Sequence, residues 1–429
     1  MNSLMDRFGG LLMLFAGASA VTAFAPFGYY PVIIGSLLLL FNQWSRDTPG
    51  QSFRRGFMFG LGFFGVGITW VFNSIHVFGH VPVPGALAVT LGLVFTLSLY
   101  PALLGYGLGR AFRTPSWPVL VIAFPAGWTF SEWLRSWLFT GFPWLNIANS
   151  QIDSPMAGYI PVLGVYGSGW LLALLPALLL AVLKNQQRWV SMALLFTVPV
   201  AGVLLDRVPW TVPRGEAIQV SLVQGNISQE DKWAPENLLS TFQLYSELTF
   251  TDQVSDLIIW PETAIPAFHD QVNDSYIAYL ETELQKTGAS LLTGIPVLDR
   301  EYWEYYNAVI TLGGEQAFYY KQHLVPYGEY LPMRWLIGNA LDALAVPNAD
   351  FSSGTDSQPL LLAAGYPVAT SICYEVVFGE QIIKALPEAA MLVNVSNDAW
   401  FGDSLAPHQH LEMARMRALE AGRPMLRAT

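Results

Sequence analysis

Two stretches of this chain carry no Asp, Glu, Lys or Arg: the 38 residues between Arg7 and Arg46, and the 54 between Arg55 and Arg110. Ionised side chains are costly in hydrocarbon, and a membrane-crossing helix needs about 20 mostly apolar residues. Each stretch therefore holds two spans. Pro26, Gly28 and Pro31 break the first near Phe24–Tyr30, and His76 to Pro84, with Gly79, His80 and Pro82, break the second. Three further uncharged runs, Thr114–Ser131, Ser154–Leu183 and Trp189–Leu205, each hold one span, which brings the expected number to seven. Charged residues are only 12% of the chain against 53% hydrophobic, which excludes disorder and argues against a wholly soluble chain.

Basic residues set the orientation, because cytoplasmic loops collect Lys and Arg. With a cytoplasmic amino terminus, Arg7, Arg46, Arg54, Arg55, Arg110, Arg113, Lys184 and Arg188 all fall inside, and Arg135 alone falls in an outer loop. Seven spans then place everything after Asp206 outside the cytoplasm. The Ala18-Ser19-Ala20 triplet also fits a signal-peptidase site, but cleavage there would leave the later loops on the same sides. The segment Ser136–Asp153, with Trp137, Phe139, Phe142 and Trp144, reads either as an aromatic belt at the outer surface or as a lip that contacts lipid. Glu132 and Arg135, three residues apart, can pair on one helix face.

The composition changes near residue 210. Residues 1–210 hold ten Lys and Arg against five Asp and Glu, whereas residues 211–429 hold eleven against twenty-seven. An acidic second half does not suit nucleic acid, whose phosphates require basic surface. The one cysteine excludes an internal disulfide and a cysteine zinc site. After Pro213, short apolar strands alternate with helices. Strands are expected at Ala217–Gln224, Asp256–Trp260, Ser290–Val297, Pro367–Cys373 and Met391–Val395, with a hairpin of Tyr306–Leu312 and Ala317–Lys321 around Gly313-Gly314. Helices are expected at Asn237–Phe250, Tyr276–Lys286, Gly379–Leu386 and His408–Ala421. Such alternation describes a sheet covered by helices.

Polar residues at the ends of buried strands are candidates for chemistry. Glu262 follows Asp256–Trp260, Lys321 ends the hairpin, and Cys373 ends Pro367–Cys373, with Tyr374 and Glu375 next to it. A carboxylate, an ammonium and a thiol suit acyl transfer. Glu262 would act as general base, Lys321 would stabilise the oxyanion, and Cys373 would be a nucleophile whose pKa a nearby cation and a following helix should lower. Taken singly, each residue has a plainer reading: an inert core cysteine, a helix-capping glutamate, and a lysine guarding a sheet edge.

Three blocks carry a resemblance: Trp260-Pro261-Glu262-Thr263, then Tyr320-Lys321-Gln322-His323-Leu324-Val325-Pro326-Tyr327-Gly328-Glu329-Tyr330 with Pro332 beyond it, and Ile372-Cys373-Tyr374-Glu375. Together they resemble the catalytic blocks of the nitrilase superfamily. Behind a polytopic membrane half, they are similar to the apolipoprotein N-acyltransferase family, the membrane-anchored branch of that superfamily. Phe24–Gly28, Glu132–Arg135, Thr140–Asn146, Val223–Asn226 and Val395–Gly402 extend the resemblance over nearly the whole chain.

The resemblance implies a polytopic α-helical membrane bundle (residues 1–210, about seven spans) and an extracytoplasmic α/β nitrilase-like αββα sandwich (residues 211–429). It also implies transfer of an acyl chain from a phospholipid, through a Cys373 thioester, to the N-terminal α-amine of a diacylglyceryl-cysteine apolipoprotein. Glu262, Lys321 and Cys373 would be catalytic, and Glu329, Trp233, Tyr374 and Glu375 supporting. No metal or other cofactor would be needed. The setting would be the periplasmic side of a bacterial inner membrane, and the protein a monomer. Members are expected to continue past Arg423–Thr429 with more strand and an eighth span. Two rival readings are a membrane-anchored amidase that uses water as acceptor, and a transporter or scaffold; the spans hold almost no ionisable residue, which disfavours transport.

Overall fold

The computed structural model describes residues 2–251, 255–326, 328–330 and 351–429. Tyr327 and Pro332 of the lysine block lie outside these residues. The chain forms two compact units: Met1–Asn73, Val83–Trp210 and Asp403–Glu420 make the first, and Ser74–Pro82, Thr211–Gly402 and Ala421–Thr429 the second.

The first unit is helical. Its main helices are Asn2–Ala20, Pro31–Trp44, Pro49–Gly67, Val83–Ala111, Phe124–Arg135, Ile160–Leu183 and Arg188–Asp206. The breaks fall at the Pro- and Gly-bearing positions, where Gly28 takes a φ of +69°. Among the described residues, three helices are long and apolar enough to cross a membrane: Val83–Ala111, Ala157–Leu183 and Arg188–Asp206. The pair Pro49–Gly67 and Trp70–Phe78, bent by 51°, makes a fourth if it counts as one span, while Phe8–Ala23 and Pro31–Trp44 are shorter apolar helices.

Small residues let these helices approach closely. A Cβ on Gly17 would lie 2.0 Å from the carbonyl oxygen of Phe59, and one on Gly62 would lie 2.0 Å from that of Leu14. The helices Asn2–Ala20 and Pro49–Gly67 therefore touch backbone to backbone.

The segment after Arg135 is mostly interior. Trp144 is 1% exposed, donates Nε1–H to Gln409 Oε1 at 2.7 Å, and lies against Trp70 and His410. It is a core residue and not part of an aromatic belt; Trp137 and Phe139 are the exposed aromatics there. Arg135 donates to the carbonyls of Phe142 and Trp144 and to Asn146 Oδ1, and Glu132 Oε1 accepts the N–H of Ile147 at 2.9 Å. Both ionisable side chains thus serve the turn that follows their helix. The helix Ala406–Ala421 contributes most of its length to this unit, with Met416 packed among Ala148, Ile152, Ile160 and Val165.

The second unit contains two sheets. In the first, β1 (Val220–Leu222), β2 (Leu257–Ile259) and β3 (Ser290–Asp299) run parallel, and β4 (Glu304–Leu312) and β5 (Phe318–Tyr320) add antiparallel. In the second, β6 (Leu361–Ala363) pairs antiparallel with β7 (Tyr366–Ile372), which runs parallel to β8 (Met391–Val395) and β9 (Met425–Ala428). Period-two alternation sorts the apolar side chains. Leu257, Ile259, Leu292 and Val309 meet Val368, Ile372, Val393 and Val395 between the sheets. Ile258, Leu291 and Ile310 turn the other way, onto Tyr245, Leu280 and Leu284 of the helices Leu238–Phe250 and Ala278–Thr287. Ala369 and Leu392 face Ile382 and Ala385. The result is the expected αββα sandwich.

The expected strands are present: β1 and β2 are reduced to three residues each, β3 and β4 run longer than expected, and β8 has the expected bounds. β6 and β9 are additions to the expected strands, and the antiparallel pairing of β3 with β4 adds a hairpin between two expected ones.

Substituting Gly62→Val should cost roughly 1–3 kcal/mol, the usual penalty for overpacking, because backbone on the facing helix cannot yield. Gly92→Val, with open space around it, is the control. Thermal unfolding of the detergent-solubilised proteins decides, and equal midpoints for the two variants would refute the close crossing.

Candidate active site

Three strand ends deliver the polar residues. Beyond β2, Trp260 is fully buried and donates to Thr249 Oγ1 at 2.9 Å, which anchors the chain before it turns at Pro261. The turn rests on β3 at Gly294, whose N–H donates to Pro261 O at 3.2 Å; a Cβ at Gly294 would lie 2.3 Å from the nitrogen of Thr263 and 2.7 Å from Cα of Glu262. The Glu262 backbone can occupy this place only over a glycine.

Lys321 follows β5, where its N–H donates to Asn307 O of β4 at 2.8 Å. Its ammonium is 2.8 Å from Glu329 Oε1 and 3.7 Å from Glu262 Oε1. Asn307 Nδ2 donates to both carboxylates, at 2.7 Å to Glu262 and 3.2 Å to Glu329. The other oxygen of Glu329 accepts the N–H of Val325 at 2.8 Å, so the lysine loop closes on its own glutamate.

Cys373 follows β7 with φ +52°, the left-handed region that a residue with a Cβ enters only when its surroundings hold it there. Part of what holds it is Asn394 of β8, whose Nδ2 donates to Cys373 O at 3.3 Å and to Ser371 Oγ at 3.1 Å. Arg427 of β9 in turn binds Asn394 Oδ1 and, at 2.9 Å, Asp398 Oδ2.

The site is dry. Lys321 is 1% exposed and Cys373 8%. Burial works against the Lys321 ammonium, but Glu329, Glu262 and Cys373 outweigh it and hold its pKa well above the ordinary value, so it is charged. Burial pushes the Cys373 thiol up to about 12; Glu262 adds to the rise, and Lys321 pulls against it. The expectation of a lowered thiol pKa is thus reversed. The lysine's charge is already engaged by two carboxylates. Between the cysteine and the expected helix, which is present as Gly379–Ile383, lies a short 3-10 stretch, Cys373–Val377, so no full helix dipole begins at the thiol. At pH 7 the thiol rests protonated.

The remaining candidates differ in placement. Glu375 is fully buried and accepts from Tyr319 OH, Gln381 Nε2 and the N–H groups of Gln322, His323 and Ile372. It therefore ties the loop after Lys321 to the strand that carries Cys373. Tyr374 packs edge-on against Phe378, and Trp233, half exposed, closes the short helix Gln229–Lys232. Sequence reasoning missed Asn307, Gly294 and Lys232. The signals available were a polar residue inside the apolar strand β4 and a lysine next to Trp233. Lys232 Nζ donates to Glu262 O at 2.9 Å.

Comparison with known proteins gives a consistent result. Residues 16–178 match the family described as apolipoprotein N-acyltransferase N-terminal domain, and residues 219–429 match carbon-nitrogen hydrolase. A protein of Methylococcus capsulatus named apolipoprotein N-acyltransferase is 48% identical over 99% of this chain and 84% of its own length. One of the same name from Nitrosomonas europaea is 46% identical over 99% of this chain and 86% of its own length, and one from Pseudomonas syringae is 39% identical over 98% and 85%.

A thiol held near 12 ionises progressively through the working range. The rate of Cys373 alkylation by iodoacetamide, followed by intact mass, should therefore rise about tenfold per pH unit from 7 to 10. A plateau near pH 8.5 would contradict the raised thiol.

Proposed function

This chain belongs to the apolipoprotein N-acyltransferase family, and on that premise we propose that Cys373, Glu262 and Lys321 carry the acyl group through a thioester in two steps. The activity is lipoprotein N-acylation. The donor is a phospholipid, and the acceptor is the α-amine of a diacylglyceryl-cysteine at an apolipoprotein amino terminus. The observation that supports this reading most is the buried Lys321 ammonium held between Glu262 and Glu329, at the strand ends that flank Cys373.

In the first step Cys373 Sγ attacks the ester carbonyl carbon while its proton passes to the Glu262 carboxylate. Because the resting thiol is protonated, proton transfer accompanies attack and no stored thiolate is needed. Negative charge then builds on the carbonyl oxygen beside the Lys321 ammonium. The carbon–oxygen ester bond breaks, Glu262 returns the proton to the departing glycerol oxygen, and lysophospholipid leaves an acyl thioester. In the second step the neutral α-amine, whose pKa is about 7.7–8.0, attacks the thioester carbonyl. Glu262 takes an amine proton, the carbon–sulfur bond breaks, and the proton restores the thiol. The low exposure of Cys373 and Lys321 limits competing attack by water. Glu329 holds Lys321, and Tyr374, Trp233 and Glu375 support the surrounding loops.

Both substrates are anchored in lipid, which fits the helical unit with its apolar helices. The alternation of basic residues supports a catalytic half on the periplasmic side of the inner membrane. We infer a monomeric enzyme, as the family resemblance implies.

Incubation with phospholipid alone should leave an acyl mass on Cys373, because no amine relieves it. A diacylated lipopeptide should then discharge the adduct as an amide. Glu262→Gln should slow adduct formation by about 10²–10⁴-fold, the usual contribution of a general base. An unmodified Cys373 in correctly inserted protein would sink the thioester route. Free fatty acid without amide would favour the hydrolase reading.

A further inference from the structure

The charges at this site do not balance around Lys321. Its ammonium meets two carboxylates, Glu262 and Glu329, so the trio is already net negative before Cys373 or the ester carbonyl gains any charge. Two other carboxylates nearby are accounted for separately: Asp398 is paired with Arg427 at 2.9 Å, and Glu375 is saturated by hydrogen bonds. A dry site that must carry a transient anion needs a further positive charge.

Lys232 meets that need in position and chemistry. The short helix Gln229–Lys232 begins at Ser228, whose hydroxyl caps Asp231 N at 3.1 Å, and Asn397 Nδ2 fixes Gln229 Oε1 at 2.7 Å. From its end, the Lys232 side chain reaches back to the Glu262 carbonyl oxygen at 2.9 Å, thirty residues away in sequence. The groups facing it are Glu262 from the end of β2 and Cys373 from the end of β7; on its own helix are Glu230 and Asp231.

We propose that Lys232 is a second cation of the active site: with Lys321 engaged by Glu262 and Glu329, the Lys232 ammonium, anchored on the Glu262 backbone, stabilises the negative charge that develops at Cys373 and the attacked carbonyl. This inference rests on the acylation of Cys373 proposed above and adds a residue to it. Burial lowers the pKa of Lys232 to about 8, while Glu262 and Cys373 hold it up against a larger fall. Lys232 is therefore charged below about pH 8, and its contribution fades as pH rises through that value.

The test monitors the first step alone, the build-up of acyl-Cys373 from phosphatidylethanolamine, by intact mass on the full-length protein. No acceptor amine is present to add its own titration. Relative to Lys232→Arg, whose cation persists, the wild-type acylation rate should fall as pH rises through about 8. Lys232→Met should acylate about 10²-fold more slowly at pH 7, the scale expected for loss of one oxyanion-stabilising donor. Lys232→Arg, which cannot lose its proton in this range, should restore most of the rate and remove the decline above pH 8.

Wild-type rates in Lys232→Met would overturn the proposal, as would an alkaline decline that persists unchanged in Lys232→Arg. If Lys232→Met fails to fold, the pH profile of Lys232→Arg against wild type still decides. Failure of the wild type itself to form the adduct refutes the thioester reading, and is thereby distinguished from a failure of Lys232.

Discussion

An ammonium sealed from water is the constraint on which the catalytic unit turns. Transferring one into a protein interior costs several kcal/mol unless opposite charge and hydrogen bonds stand ready. Lys321 is compensated by Glu329 at 2.8 Å and Glu262 at 3.7 Å, and Asn307 cross-links the two carboxylates. Glu262 comes from the end of β2, Asn307 from β4, Lys321 from the end of β5 and Glu329 from the loop beyond it. Satisfying one buried charge therefore fixes where four segments meet. The chemistry and the fold share a single electrostatic requirement.

The same surroundings decide the state of the Cys373 thiol, the proposed nucleophile. A cysteine in an apolar crevice beside a carboxylate is held as a thiol, and Lys321 does not overcome both effects. A protonated resting state has a use, because a standing thiolate would be open to oxidation and stray alkylation. In the proposed mechanism, activation is thereby tied to arrival of the ester, when Glu262 takes the proton. The left-handed turn at Cys373 presents Sγ at the strand end, and Asn394, Arg427 and Glu375 make that turn tenable.

In the helical unit, polar side chains organise backbone that apolar packing leaves unsatisfied. Glu132 and Arg135 take up groups of residues 142–147. The helix Ala406–Ala421 contributes more of the same: Glu412 accepts the N–H of Ala25 at 2.9 Å, and Glu420 accepts that of Val165, next to the non-helical Gly164. Buried away from water, each such N–H needs a partner. Reading these carboxylates as a substrate path would overlook the backbone they satisfy.

Local pattern was enough for a good deal of this. Charge-free runs marked the apolar helices, the short apolar runs Asp256–Trp260 and Met391–Val395 marked sheet strands, and Glu262, Lys321 and Cys373 stood out as polar residues ending apolar strands. Cost per residue in hydrocarbon and side-chain direction in a strand are properties of consecutive residues, so one dimension records them. The pKa of Cys373, the bracing role of Glu375, the entry of Asn307 and Lys232 into the site, and the need for glycine at position 294 were not legible. Nor was the fact that Ser74–Pro82 groups with the sheets and Asp403–Glu420 with the helices. Each of these depends on which distant groups share one small, dry volume. Electrostatic energy and steric contact depend on separation in space, and only the folded chain sets that separation.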